Sequence, residues 1–450
     1  MKKVYYQMTL CLQSPLRIGN GKNEESDSDI LLDGRGVPFI PGSSLAGIIR
    51  HRSEEIHKDS ESLKRLFGYI KKSGETDESV EAVTSSLIIG DATLVNSEQP
   101  KNVKVGLRDG IRLGEWGTVV GNSKYDFQIA ETSEEFKAVI EWTGDDNQYK
   151  EEIEKILEPI FQHYIERGFT VGAKTSRGYG RCSVKFSKRE FVLPKELESW
   201  LAFHPYRENA FDKKNSLLSG KADDKEIIVE LSGKADDRES IVEISFKMVG
   251  AFSVRVNTAK IEITEEGVVP DAVPMENYEG SPVIPGTSWA GAFRHHMHAL
   301  LRDVGVAEKS EEMKDLDRFY GIEGKGSIGK SRLSFSETAI SNAKRYAFSR
   351  NALDRFTAIP RTGALYTEVL CIGGEGKLII SFREEDMKEP YRSLLAACIV
   401  DLHHGLLAVG GETAVGRGML KISGLEYNGK DKMAFINHLK DESVTLDWFK

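Results

Sequence analysis

The chain has 450 residues, of which 40% are hydrophobic and 29% charged, and its net charge is −9. These figures describe an ordinary soluble protein with apolar material for two cores of roughly 200 residues each. No run of about 18 apolar residues marks a membrane span, and the acidic total argues against a simple nucleic-acid binder, although a local basic strip supplies phosphate contacts whatever the global sum.

The N-terminus, MKKVYYQMTL, turns polar at Gln7 and again at Gln13, which predicts a strand over Lys3–Leu12 and not a signal peptide. A turn, SPLRIGNG, and an acidic loop over Glu24–Asp33 follow. A helix is predicted from about Ser43 to His57, and a strand over Leu87–Leu94. From Asn96 to about Ser133 the pattern is irregular and rich in glycine, which predicts an insertion carrying a hairpin or a mobile loop. A strand over Phe136–Trp142, an amphipathic helix over Tyr149–Arg167 and a strand over Tyr179–Phe186 complete the first half. The order is βαββαβ with an insertion between the second and third strands. That order predicts an α+β, ferredoxin-like plan with helices on one face of an antiparallel sheet.

The second half repeats this plan. Pro38–His51, PFIPGSSLAGIIRH, returns as Pro282–His295, PVIPGTSWAGAFRH, with nine of fourteen positions identical. Further landmarks recur in order: Leu66-Phe67-Gly68 with Phe319-Tyr320-Gly321, and SSLIIGDA at Ser85 with SRLSFSET at Ser331. Arg108-Asp109 recurs as Arg350-Asn351, each followed by a tyrosine, Tyr125 or Tyr366, and VGAKTSRGYG at Val171 returns as VGGETAVGRG at Val409. Such ordered self-similarity is the mark of a tandem duplication. The expected division is a first domain over 1–200, a closing segment and linker over 201–238, and a second domain over 239–450. The linker carries its own near-perfect repeat, LSGKADDKEIIVE then LSGKADDRESIVE, with eleven of thirteen residues the same. In the second domain, helices are expected over Ser288–Leu301 and Tyr391–His404, and strands over Arg332–Phe335, Ala364–Phe382 with a break at Gly373-Gly374, and Gly418–Ile422. A terminal helix is expected over Asp431–Lys450.

Each repeated helix start sets a Pro-Gly turn before Ser or Thr at the position expected for an N-cap. Exposed N–H groups at such a start attract an anion, phosphate being the common one. The candidates for phosphate contact are therefore Ser43, Ser44, Arg50 and His51 in the first copy, and Thr287, Ser288 and Arg294 in the second. The glycine loops let the backbone approach a ligand closely, which adds Lys174, Arg177, Arg181, Arg350 and Arg417.

Two other motifs carry less. Gly324–Ser331, GKGSIGKS, satisfies the P-loop pattern, but a helical stretch precedes it and a strand follows, the reverse of what phosphate binding requires. His295, His296 and His298 lack the i, i+4 spacing of a helical metal site. Cys11, Cys182, Cys371 and Cys398 lie far apart without a CxxC pair, which predicts buried reduced thiols in a cytoplasmic protein.

For chemistry the candidates lie upstream of the helix starts. Asp27 stands fourteen residues before Pro41, and Asp271 fourteen before Pro285. With five acids in ten positions of the loop, one such match is also expected by coincidence. An aspartate beside a phosphodiester can hold a divalent metal or orient the attacking hydroxyl.

Taken together, the IPGSSLAG and IPGTSWAG starts, the upstream aspartates, the LFG-type turn with its SxL strand, the Arg350–Thr357 run with Ala364-Leu365-Tyr366, and the glycine loops resemble the RAMP superfamily. The resemblance is specifically to backbone subunits of type III CRISPR–Cas effector complexes, in the tandem form. It implies two RNA-recognition-type palms, each with a thumb hairpin, gripping a CRISPR guide RNA among other RAMP-type and effector subunits. It implies too that Asp27 and Asp271 cut the target RNA with a divalent metal, Mg²⁺ or Mn²⁺. The first half departs from the pattern at its insertion, where RDGIRL stands at Arg108–Leu113. Two alternatives stay open: a structural RNA-binding subunit that does not cut, and a guide-precursor processing nuclease needing a metal-independent His, Tyr or Lys set.

Overall fold

A computed structural model describes residues 1–19, 29–57, 60–72, 80–94, 103–110, 121, 125–132, 135–207, 210–211, 239–256, 270–321 and 329–434. Asp27, most of the repeated linker, the greater part of the P-loop-like run and all but the first four residues of the expected terminal helix lie outside those residues.

In the first half, β1 is Lys2–Leu12, α1 Gly42–His57, α2 Glu61–Phe67 and β2 Leu87–Ile89. A hairpin follows, β3 Val103–Gly110 and β4 Tyr125–Thr132, and then β5 Glu135–Gly144. Wide helical turns over Tyr149–Leu157 run into α3, Glu158–Arg167, before β6, Arg181–Val192. The sheet order is β2-β5-β1-β6, all antiparallel, with Leu12 opposite Cys182 and Lys2 opposite Val192. Alternation along β1 sends Val4, Tyr6, Met8 and Leu10 to one face. Ile153, Ile156, Leu157, Ile160, Phe161 and Tyr164 return from the helical segment to cover them, and all are buried in one cluster. Buried Glu152 ties this layer together, accepting hydrogen bonds from Trp142 Nε1 at 2.8 Å, Ser86 Oγ at 2.8 Å and Arg65 Nε at 3.1 Å. The opposite face of the sheet is closed by the chain after β6, where Trp200, Phe203 and Phe211 pack on Tyr5, Val139 and Phe191.

The second half is built alike: β7 Glu239–Met248, α4 Gly286–Asp303, α5 Glu311–Phe319, β8 Leu333–Phe335. An arm of β9, Lys344–Leu353, and β10, Pro360–Ile372, precedes β11 Glu375–Arg383, α6 Tyr391–His404 and β12 Leu420–Tyr427. Its sheet runs β8-β11-β7-β12, the order of the first half strand for strand. Trp289, Phe293 and Met297 project from α4 at helical spacing into the second core and are fully buried. Truncating either aromatic to alanine removes about 3–5 kcal/mol by transfer and cavity terms.

Several boundaries differ from expectation. The strand expected over Ala364–Phe382 is two strands, because Gly373 and Gly374 take φ of 65° and 103° and turn the chain from the arm into the sheet. Leu87–Leu94 is broken at Gly90 into β2 and a short Thr93–Leu94 strand. The pairing puts Arg108 opposite Phe127 and Arg350 opposite Tyr366, so Tyr366 corresponds to Phe127 and not to Tyr125. Of the four thiols, three are buried and Cys11 is half-exposed.

The halves meet through the first glycine loop. Gly178, at φ 86°, lies so near the second sheet that a Cβ there would sit 2.5 Å from Phe335 O and from Glu337 N. Ser334 Oγ donates to Thr175 O at 3.2 Å, and Arg383 pairs with Glu55 at 2.5 Å. Buried Arg108 pairs with Glu131 and reaches Glu337 of the second half at 3.5 Å.

Candidate nucleic-acid interface

Both repeated helix starts are closed by protein atoms. The N-cap of α4 is Pro285, at φ −63° and ψ 149°, without a side-chain cap, and its carbonyl accepts from Ser288 N and Trp289 N. Pro41 O likewise accepts from Ser44 N and Leu45 N. The proline itself therefore stands at the cap, and Ser43, Ser44, Thr287 and Ser288 fall in the first helical turn. In the first half Asp91 Oδ1 accepts from Gly42 N at 2.7 Å, a carboxylate placed at the positive end of the helix. In the second half the Arg177 and Phe335 carbonyls would lie 2.2 and 2.3 Å from a Cβ on Gly286. Glycine is required there by packing, whatever ligand approaches.

The basic candidates divide by their partners. Arg50 is half-exposed and pairs with Glu54 at 2.7 Å, and His51 is within 3.5 Å of Glu55. Arg294 is held by Asp317 Oδ1 through Nε at 3.1 Å and a terminal nitrogen at 2.7 Å, and His298 Nε2 meets the same oxygen at 2.9 Å. His296 meets Asp401 at 2.6 Å, so each of these histidines faces its own carboxylate. Arg350 and Arg417 share buried Glu368 at 2.7 and 2.5 Å, and both contact Glu412. Arg181 is half-buried at the start of β6, its N–H donating to Ser14 Oγ. Lys174 sits at φ 57° with Nζ 3.8 Å from the Phe127 ring centre and 4.3 Å from that of Tyr125. Burial, with Arg17 and Arg177 near, pushes this lysine down to about 7. Arg177 is exposed beside it.

Asp271 is exposed and fixed. Its N–H donates to Thr367 O at 2.6 Å, and its Oδ2 accepts from Thr367 N at 2.7 Å. Thr367 lies on β10, so the carboxylate is pinned at the root of the β9–β10 arm. At the far end of that arm Asp354 Oδ1 accepts from Phe356 N, Thr357 N and Thr357 Oγ1, each at 3.0 Å. That turn holds Phe356 out at 90% exposure, with Leu353 and Ile359 exposed beside it. Among the described residues no group of three or more His, Cys, Asp or Glu is arranged to hold a metal ion.

The RAMP-superfamily model matches residues 9–183 and again 231–421. The chain belongs to the RAMP superfamily. Its two matched regions cover most of the sequence, the second beginning at the second copy of the linker repeat. No curated protein matches the chain. Among solved structures it is similar to a chain of the type III-B Cmr-beta complex bound to cognate target RNA, determined by cryo-EM. That similarity has a TM-score of 0.31 and 12% identity, covering 42% of this chain and 61% of that one, under two thirds of its length. No helix among the described residues of this RAMP protein is long and apolar enough to cross a membrane.

Sequence reasoning missed Asp91, Glu337, Glu368, Glu412 and Arg17. Nothing in their local sequence marks them, because each acquires its partner across the fold. Asp91 is the partial exception, since an acid stands two residues past the strand end in both halves, as Asp91 and Glu337.

Proposed function

We propose that this RAMP protein is a guide-RNA-binding backbone subunit of a type III CRISPR effector, cutting complementary target RNA at Asp27 and Asp271. In this reading each half is a ferredoxin-like palm, with β3–β4 and β9–β10 as thumbs, and the chain works in the cytoplasm beside other RAMP-type subunits. The observation that carries it is the anchorage of Asp271. A carboxylate held by one hydrogen bond from Thr367 N, on a backbone itself bonded to Thr367 O, is presented in one position to a strand crossing the root of the projecting arm.

A lone carboxylate suits Mg²⁺ or Mn²⁺, which keep bound waters and take substrate phosphates as ligands. Asp271, and Asp27 by sequence position, would supply the protein oxygen, and the ion would offset charge on the phosphodiester. Asp271 itself keeps one carboxylate oxygen outside the Thr367 pair. Cations of the first glycine loop and the exposed arm tip would keep the RNA backbone in register.

The experiment uses the assembled effector and a labelled target. Asp271→Asn keeps an acceptor for Thr367 N while removing the charge, so one cleavage product should vanish with guide RNA still copurifying. Asp27→Ala should remove another product. Persistence of every product in the double variant would establish a subunit that binds RNA without cutting it.

A further inference from the structure

The two glycine loops share a backbone and differ in charge. Gly172 and Gly410 have φ of 91° and 100°, Gly180 and Gly418 have 70° and 75°, and Lys174 and Glu412 occupy the same left-handed position at 57° and 59°. Thr175–Arg177 and Thr413–Val415 each make one 3-10 turn. Lys174 thus corresponds to Glu412, Arg177 to Val415 and Tyr179 to Arg417.

In the second half the charges close on themselves. Glu412 lies between Arg350 and Arg417, and Glu368 contacts the same two arginines from below. In the first half Arg108, which stands where Arg350 does, turns to Glu131 and Glu337. What remains is Arg17, Lys174 and Arg177. Arg17 lies 4.6 Å from the Phe127 ring centre, with its Nε buried and lacking a hydrogen-bond partner. Lys174 covers Phe127 and Tyr125 from its own side. Ring faces attract cations without neutralising them. Among the described residues no carboxylate pairs with any of the three; the charges acting on Lys174 are Arg17 and Arg177.

We propose that Arg17, Lys174 and Arg177 form a seat for one RNA phosphodiester group, and that Glu412 occupies the corresponding seat in the second half. Only the first half then takes an external phosphate at this position. The inference rests on the RNA-binding reading above and adds to it that the two copies are unequal.

The seat carries a pH signature. A desolvated lysine gains its proton when a phosphate arrives, so binding takes up a proton and affinity climbs as pH falls through neutrality. The other groups facing Lys174 are Arg17, Arg177 and Tyr125, with Tyr179 behind them, and arginine and tyrosine ordinarily titrate well above neutrality.

The test measures anisotropy of a fluorescein-labelled single-stranded RNA of about ten nucleotides on the full chain, across salt and pH. Wild-type affinity should rise about tenfold from about pH 8 to about pH 6. Lys174→Arg, which keeps the charge at every pH, should bind tightly with a flat profile. Lys174→Ala should bind weakly with a flat profile and lose about 0.7 from the slope of log K against log salt. Glu412→Gln should increase both affinity and slope, since Glu368 alone then faces the two cations Arg350 and Arg417. Unchanged RNA binding in both Lys174 variants would overturn the seat and leave the RNA-binding reading standing. No change in Glu412→Gln would remove Glu412 as the occupant. Equal displacement of the RNA by inorganic phosphate or ATP would make this a free-anion site, and failure of any RNA to bind would overturn both readings.

Discussion

The carbonyl of Arg177, from the first half, lies 2.2 Å from where a Cβ on Gly286, from the second, would begin. A glycine inside the repeated helix motif is thereby explained by contact between the halves. Its counterpart Gly42 has the same need within its own half, where a Cβ would meet Ile89 O at 2.2 Å. The second glycine of each motif is different: Gly47 and Gly291 have nothing within 4 Å of a Cβ.

A paired substitution in α4 follows from that contrast. Gly286→Ala forces two backbone segments apart and should destabilise by about 1–3 kcal/mol, with looser packing between the halves. Gly291→Ala, in an exposed helix interior, should stabilise by about 0.5–1 kcal/mol. Thermal unfolding of the two variants side by side measures both, and equal effects would show that the Arg177 contact does not constrain Gly286.

Arg108 gives a prediction with a sign in pH. Its guanidinium is buried with Glu131 and Glu337, and burial foremost, with Glu131 adding to it, holds the Glu337 carboxyl above the ordinary carboxylate range despite Arg108. A group whose pKa is raised on folding binds its proton more tightly in the native state. Its contribution is present at low pH and lost as pH rises through the folded value. Arg108→Gln removes the one partner shared by both acids and should cost about 3–5 kcal/mol near neutrality. The loss should shrink as pH falls and Glu337 takes up its proton. Unfolding curves at about pH 5 and about pH 8 decide it, a pH-independent loss telling against the buried pair.

Much of the architecture was legible because it is periodic. The duplication, the strand–helix order and α6, whose limits at Tyr391 and His404 match the expectation, follow from apolar spacing and glycine punctuation. Partners across the fold were not legible. The carbonyls of Pro41 and Pro285 take the first helical N–H groups, which puts the serines and threonine expected as caps inside the first turn. The loop read as a phosphate groove is, at Gly178, a contact between halves. Arg294 belongs to the expected basic set and is committed to Asp317. Spacing along a chain says which side chains share a face, and it does not say which carboxylate a distant strand brings opposite them.

The anchorage of Asp271 separates two substitutions that sequence alone would treat alike. Asp271→Ala loses the acceptor for Thr367 N as well as the charge, so it should loosen the loop at the arm's root. Asp271→Asn should keep the loop and lose only the charge. Hydrogen exchange at Thr367 should therefore be faster in the alanine variant and near wild type in the asparagine variant. Similar exchange in both would show that the carboxylate does not hold that strand.

The arm tip supplies the last prediction. Phe356 is 90% exposed, so its truncation removes almost no burial, and Phe356→Ala should alter stability by less than about 0.5 kcal/mol. A ring carried into water on a turn that Asp354 fixes through Phe356 N, Thr357 N and Thr357 Oγ1 is positioned for something outside the chain, and stacking on a nucleobase contributes about 1–3 kcal/mol. Phe356→Ala should thus weaken RNA retention by about tenfold or more with an unchanged unfolding temperature. Asp354→Ala, which frees Phe356 N and both groups of Thr357, should weaken it similarly while leaving the ring chemically intact. If RNA retention were unaffected by either change, the projecting tip would have to be assigned to contact with a neighbouring protein.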